Sequence, residues 1–127
     1  SLGSSKFHLD RIQNLWKSLK SNVIKLDYES HDKLFSLTSH LPHFAAYSLM
    51  KVLHDNNIDI SAYAGGGLKE FIRLSQSSPE MWGDIFQSNA YLDKHIDELI
   101  EKLIELKELS SSKDSSALKK YLSQFKE

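Results

Sequence analysis

The chain has 127 residues, 40% of them hydrophobic and 26% charged, enough for one domain with one core. Its 16 basic and 17 acidic residues are spread along the sequence and leave a formal charge of -1, so no basic face favours a nucleic acid or an anionic membrane. Without cysteine there is no disulfide framework, thiolate nucleophile or cysteine-based zinc site, and no apolar run is long enough for a bilayer. A cytoplasmic protein fits.

Leu9, Ile12, Leu15, Trp16 and Leu19 recur at helical spacing and predict an amphipathic helix over roughly 7–20. Val23-Ile24-Lys25-Leu26 is short, β-branched and closed by Asp27, which predicts a strand. No other segment offers that strand a partner. The pattern turns helical again over about 29–57, with an interruption expected at Pro42, which lacks an N–H and crowds the preceding turn. Phe44 to Leu53 is apolar on nearly all sides, the mark of a buried helix. In so small a domain this suggests burial against a second subunit.

Asn56-Asn57 ends that helix, and Gly65-Gly66-Gly67 precedes a short one through Phe71, Ile72 and Leu74. Ser78-Pro79 predicts a capped start for a helix carrying Met81, Trp82, Ile85 and Phe86. Asn89 is placed to cap the next, whose stripe runs Leu92, Ile96, Leu99, Leu103 and Leu106, widened by Ile100 and Ile104. A polar break at 110–114 leads to a last short helix over 115–125. The expected fold class is all-α, with one orphan strand near the N-terminus.

His40 and His43 are three apart and share a helix face, with His31 and Asp32 upstream. Metal binding or acid–base work is one reading of them, and local hydrogen bonding the more ordinary one. No HExxH-like spacing supports a metal. The three glycines lie before a helix N-terminus, where they can take positive φ and expose N–H groups to an anion, or serve simply as a linker. They form neither a G-x-G-x-x-G fingerprint nor a P-loop. Arg73 is the sole arginine after Arg11, and its planar fork suits a carboxylate; an ion pair with Glu70 or Asp84 is the alternative. Trp82 reads as a core residue before it reads as a ligand contact.

Ser39-His40-Leu41-Pro42-His43, preceded by His31-Asp32, resembles the histidine-rich helix of prephenate dehydrogenases. The run from Ala64 to Arg73, then Ser77 to Ile85 with Asn89 beyond, resembles that family's second signature. The resemblance covers roughly 7–109. It implies an oxidoreductase that converts prephenate to 4-hydroxyphenylpyruvate with NAD or NADP in tyrosine biosynthesis, as a homodimer. Residues 1–28 would be the end of a nucleotide-binding domain that lies outside this chain. Residues 29–127 would be the helical dimerisation and substrate-binding domain.

By the same resemblance, Arg73 would grip a substrate carboxylate, His43 would make a polar contact and Gly66 would lie against the substrate. Asp32, His40 and Trp82 would shape or gate the pocket, with Asp32 able to pair with Arg73. Glu70 stands where many relatives carry aspartate, and Leu68 where an aromatic is common. The cofactor fingerprint and the catalytic histidine are expected outside these residues, so the chain alone is expected to be inactive. The alternatives are an arogenate dehydrogenase, or a non-catalytic dimerisation module that senses tyrosine, the possible inhibitor.

Overall fold

The computed structural model describes residues 6–125. Among the described residues eight α-helices run in chain order: α1 Lys6–Ser18, α2 Tyr28–Phe35, α3 Leu41–Asp55, α4 Ile60–Tyr63, α5 Gly66–Ser75, α6 Pro79–Ser88, α7 Leu92–Ser111 and α8 Ser115–Ser123. Two compact units divide the chain, one ending at His31 and the other beginning at Asp32. None of the helices is long and apolar enough to cross a membrane.

In the first unit, α1 sets Leu9, Ile12 and Trp16 beside Val23, Ile24 and Leu26 around an open groove of about 370 Å³. The strand expected at Val23–Leu26 does not form; these residues have no regular secondary structure. A strand is a hydrogen-bonded ladder, and β-branched residues alone cannot make one without a neighbouring edge.

The expected break at Pro42 is also absent. Helical backbone continues from α2 into α3 through a π-helical turn at Ser36–His40, where the Leu41 N–H donates to the Ser36 carbonyl, five residues back. Proline at 42 can offer no hydrogen to the carbonyl of residue 38 and would crowd it in a regular helix. Widening the preceding turn accommodates the ring without ending the helix. Such π turns are rare and often stand at functional sites.

Helix α3 packs on α5 and touches α7, while α7 also packs on the π turn and on α8. The starts of α4, α6 and α8 follow the cap chemistry. Ser78 Oγ accepts from the Met81 N–H at 3.3 Å, with Pro79 in the first turn of α6. Asp59 accepts from the backbone of Ser61 and Ala62 ahead of α4, and Asp114 from Ser116 and Ala117 ahead of α8. The side-chain hydroxyl of Ser61, then the Ala62 N–H, holds the Asp59 carboxyl below its ordinary range. Asn57 and Lys113, just past the ends of α3 and α7, take the left-handed conformation with φ of 55° and 60°.

The core is small. Ala46, Trp82 and Leu92 are the buried apolar residues among those described, joined by buried Ser36, Asn89 and His95. Helix α3 is apolar as expected, yet most of it is only half-buried and Val52 is 57% exposed. Burial also fades along α7, from Leu92 at 1% exposure to Leu103 at 56%.

Candidate functional site

The short core is where the chemistry-bearing residues gather. Capping by Ser78 and Pro79 fixes the start of α6, and Trp82, Ile85 and Phe86 follow on one face. Phe86 meets Phe44 and Tyr47 edge-on, with centroids 5.5 and 6.1 Å away, which docks α6 on α3. The Tyr47 hydroxyl donates to the Ser77 carbonyl at 2.8 Å and ties the turn before α6 to the same helix.

That docking brings Trp82 against both candidate histidines. His43 stacks on the indole, with centroids 3.7 Å apart and planes 19° from parallel, and His40 meets it edge-on at 6.0 Å. The Trp82 indole N–H is buried and has no hydrogen-bond partner among the described residues. Trp82 is therefore a core residue, as its type suggests, and also the surface on which the histidines are arranged.

Hydrogen bonds hold those rings. His43 Nδ1 lies 2.9 Å from the Ser39 carbonyl oxygen. Asn89, between α6 and α7, reaches His40 Nδ1 at 3.0 Å and donates to the Asp32 carbonyl at 2.9 Å. Asn89 Oδ1 accepts the Tyr91 N–H, so its side chain does organise the entry to α7, while α7 itself starts at Leu92. His40, His43, Trp82 and Asn89 thus form one connected cluster, which Asp32 joins through its main-chain carbonyl.

A second buried pair carried no motif. Ser36 Oγ and His95 Nδ1 lie 2.7 Å apart, both buried, and join the π turn to α7. The available sign was position: His95 interrupts the apolar face of α7, three residues after Leu92 and four before Leu99.

Arg73 and Gly66 lie on α5, the helix packed on α3. Arg73 Nε donates to Glu70 Oε2 at 2.9 Å, and the two side chains are 68% and 69% exposed. This is the ion pair that competed with a ligand role in the sequence. The glycines do not need left-handed backbone: Gly65 has φ -73° and ψ 173°, and none of Gly65, Gly66 and Gly67 lies in that region. A Cβ at Gly66 would meet nothing within 4 Å, so packing inside this chain does not demand glycine there. Gly65 caps α5 without a side chain, leaving the first N–H groups of that helix uncapped by one. The glycine run follows α4, not a strand, and so lacks the strand–turn–helix setting that cradles a dinucleotide pyrophosphate. These residues do not fit NAD, and no step involving the cofactor falls to them.

Beside the cluster, α3, α5 and α7 leave an apolar groove of about 520 Å³. Phe44, Leu49, Val52, Phe71, Ile96 and Leu103 are among its lining residues.

Residues 27–124 match the family described as prephenate dehydrogenase, dimerization domain. The prephenate dehydrogenase of Bacillus subtilis is 30% identical over 123 residues, covering 93% of this chain and 33% of that protein. The cyclohexadienyl dehydrogenase of Zymomonas mobilis is 31% identical over 121 residues, covering 91% of this chain and 40% of that protein. Among solved structures, the prephenate dehydrogenase of A. aeolicus in complex with hydroxyphenyl propionate and NAD+ superposes with a TM-score of 0.82. It is 33% identical, over 98% of this chain and 45% of that one. The chain therefore spans less than half the length of these relatives.

Proposed function

The chain belongs to the prephenate dehydrogenase family by its dimerization domain, and from that premise we propose that it is the helical half of an NAD- or NADP-dependent oxidoreductase acting on prephenate in the cytoplasm. In this reading the chain pairs two subunits and builds one wall of the substrate site. The nucleotide and the catalytic histidine belong to a preceding domain, to which the first unit is the tail.

The observation that carries the reading is the cluster around Trp82. A buried indole with one imidazole stacked at 3.7 Å and a second edge-on is a rigid, mostly apolar surface bearing a few fixed polar atoms. Small-molecule sites are built in this way. His43 makes a polar contact to the substrate, and Asp32, His40 and Trp82 shape the pocket. Arg73 leaves the exposed Glu70 for a substrate carboxylate, which its fork can hold at two points. The α5 N-terminus brings the Gly66 backbone against the same ligand. Prephenate, a dicarboxylate, suits an arginine and backbone donors.

The apolar groove supports the homodimer. A surface this apolar is unusual on a free subunit and ordinary at an obligate interface. An arogenate-using enzyme remains the second reading, since one relative carries the broader name cyclohexadienyl dehydrogenase. Steady-state assay of the whole enzyme on both substrates, with NAD+ and with NADP+, tests the proposal. Turnover of prephenate supports it; turnover of arogenate alone selects the second reading, and turnover of neither overturns both. A tyrosine-sensing module without catalysis would instead bind tyrosine and leave both substrates unchanged.

A further inference from the structure

Asn89 is 8% exposed and stands where α6 ends. Its Oδ1 accepts the Tyr91 N–H at 2.9 Å, and a backbone N–H only donates. The other end of the amide is therefore Nδ2, which reaches the Asp32 carbonyl at 2.9 Å and His40 Nδ1 at 3.0 Å. A carbonyl only accepts, so both backbone neighbours fix the same orientation. Turning the amide over would set N–H against N–H at Tyr91 and oxygen against oxygen at Asp32. With a donor placed on it, His40 Nδ1 must be the lone-pair nitrogen, and the ring proton resides on Nε2.

His43 is held in the opposite sense. Its Nδ1 lies 2.9 Å from the Ser39 carbonyl, which can only accept, so Nδ1 carries hydrogen and Nε2 of the neutral ring bears the lone pair. Both rings lie against the same indole.

We propose that Asn89 is a positioning residue that locks His40 in the Nε2–H tautomer, opposite to that of His43. The histidine pair beside Trp82 then carries one donor and one acceptor at its Nε2 atoms, set by the backbone through Asn89 and Ser39. The meaning of this for substrate recognition rests on the reading of the cluster as a substrate wall; the tautomers themselves do not.

The test is nitrogen-15 NMR of the labelled chain at about pH 8, above the ordinary histidine pKa of about 6.5. Long-range spectra connect ring nitrogens to carbon-bound ring protons, and His40→Gln and His43→Gln assign the two rings. The expected wild-type spectrum has protonated Nε2 and unprotonated Nδ1 at His40, and the reverse at His43. Asn89→Ala should leave His40 as a mixture of tautomers with His43 unchanged. Asn89→Asp should move the His40 proton to Nδ1, because a carboxylate can only accept there. Circular dichroism verifies that each variant folds, and the wild-type spectrum decides the matter if neither does. A protonated Nδ1 at His40 in the wild type, or wild-type His40 signals in both folded variants, overturns the proposal. No substrate is present, so such a failure leaves the substrate-site reading standing, whereas normal kinetics in Arg73→Ala would remove that reading and leave the tautomers intact.

Discussion

The His43 imidazole lies flat on the Trp82 indole, 3.7 Å between centroids, and joins α3 to α6 alongside the contacts of Phe86 with Phe44 and Tyr47. Trp82 is 6% exposed and also touches His40 and Phe86. Trp82→Ala should cost about 3–5 kcal/mol, the usual range for emptying a buried aromatic site. Urea unfolding measures it, and a loss below about 1 kcal/mol would mean that the ring is peripheral.

Ser36 and His95 form the second tie, between the π turn and α7. Either Ser36→Ala or His95→Ala leaves a buried polar partner unsatisfied and should cost about 1–3 kcal/mol. The double variant should cost less than the sum, with a coupling of about 0.5–3 kcal/mol from a double-mutant cycle. Strict additivity would show that the 2.7 Å contact contributes no coupling.

The groove between α3, α5 and α7 leads to an expectation about assembly. Leu103 is 56% exposed and Val52 57%, and both line the groove. The chain should sediment as a dimer at micromolar concentration, and Leu103→Asp should shift it to monomer, because a covered interface does not accommodate an unpaired charge. A monomeric wild type would refute the assignment of this surface to a subunit contact.

The sequence made the helices legible where local chemistry decides them. Ser78-Pro79 marked the start of α6, and the periodicity of α7 marked its length. It misled where context decides. Val23–Leu26 has the composition of a strand and no edge to pair with. Pro42 forbids a regular turn, but residue type alone does not say whether the chain stops or widens into a π turn. The pairing of His40 with His43 was readable from spacing, as was an anomaly in the apolar face of α7 at His95. The link from His95 to Ser36 spans 59 residues and has no local signal, so only the packed fold discloses it. For Arg73 the sequence offered a carboxylate fork or an ion pair, and the chain by itself forms the pair with Glu70.

Acid should act through the caps. Hydrogen bonds from Ser61 and Ala62 hold the Asp59 carboxyl below its ordinary value in the folded state. A depressed folded pKa contributes stability that is present above the unfolded value of about 3.9, and that stability is lost as pH falls through the folded value. The melting-temperature gap between wild type and Asp59→Ala should therefore be full at neutral pH and shrink as pH falls below about 4. Asp59→Asn keeps the cap without the titration and should show no such closing of its gap to Asp59→Ala. A wild-type gap that stays constant down to acid pH would contradict the assignment.

The substrate-wall reading meets its most direct test at Arg73. On the proposed function, Arg73→Ala in the whole protein should lower kcat/KM for prephenate by about 10- to 150-fold, the equivalent of losing about 1.5–3 kcal/mol of charge-assisted contact. The KM for NAD+ should barely change, and Arg73→Lys should recover only part of the loss because it keeps the charge without the fork. If Arg73 serves only Glu70, an exposed pair of this kind contributes little, and the variant should show near-normal kcat/KM with at most a slightly lower melting temperature. Measuring kcat/KM and melting temperature on the same Arg73→Ala preparation separates these outcomes: a large kinetic loss at unchanged stability is the expected result, and unchanged kinetics would contradict it.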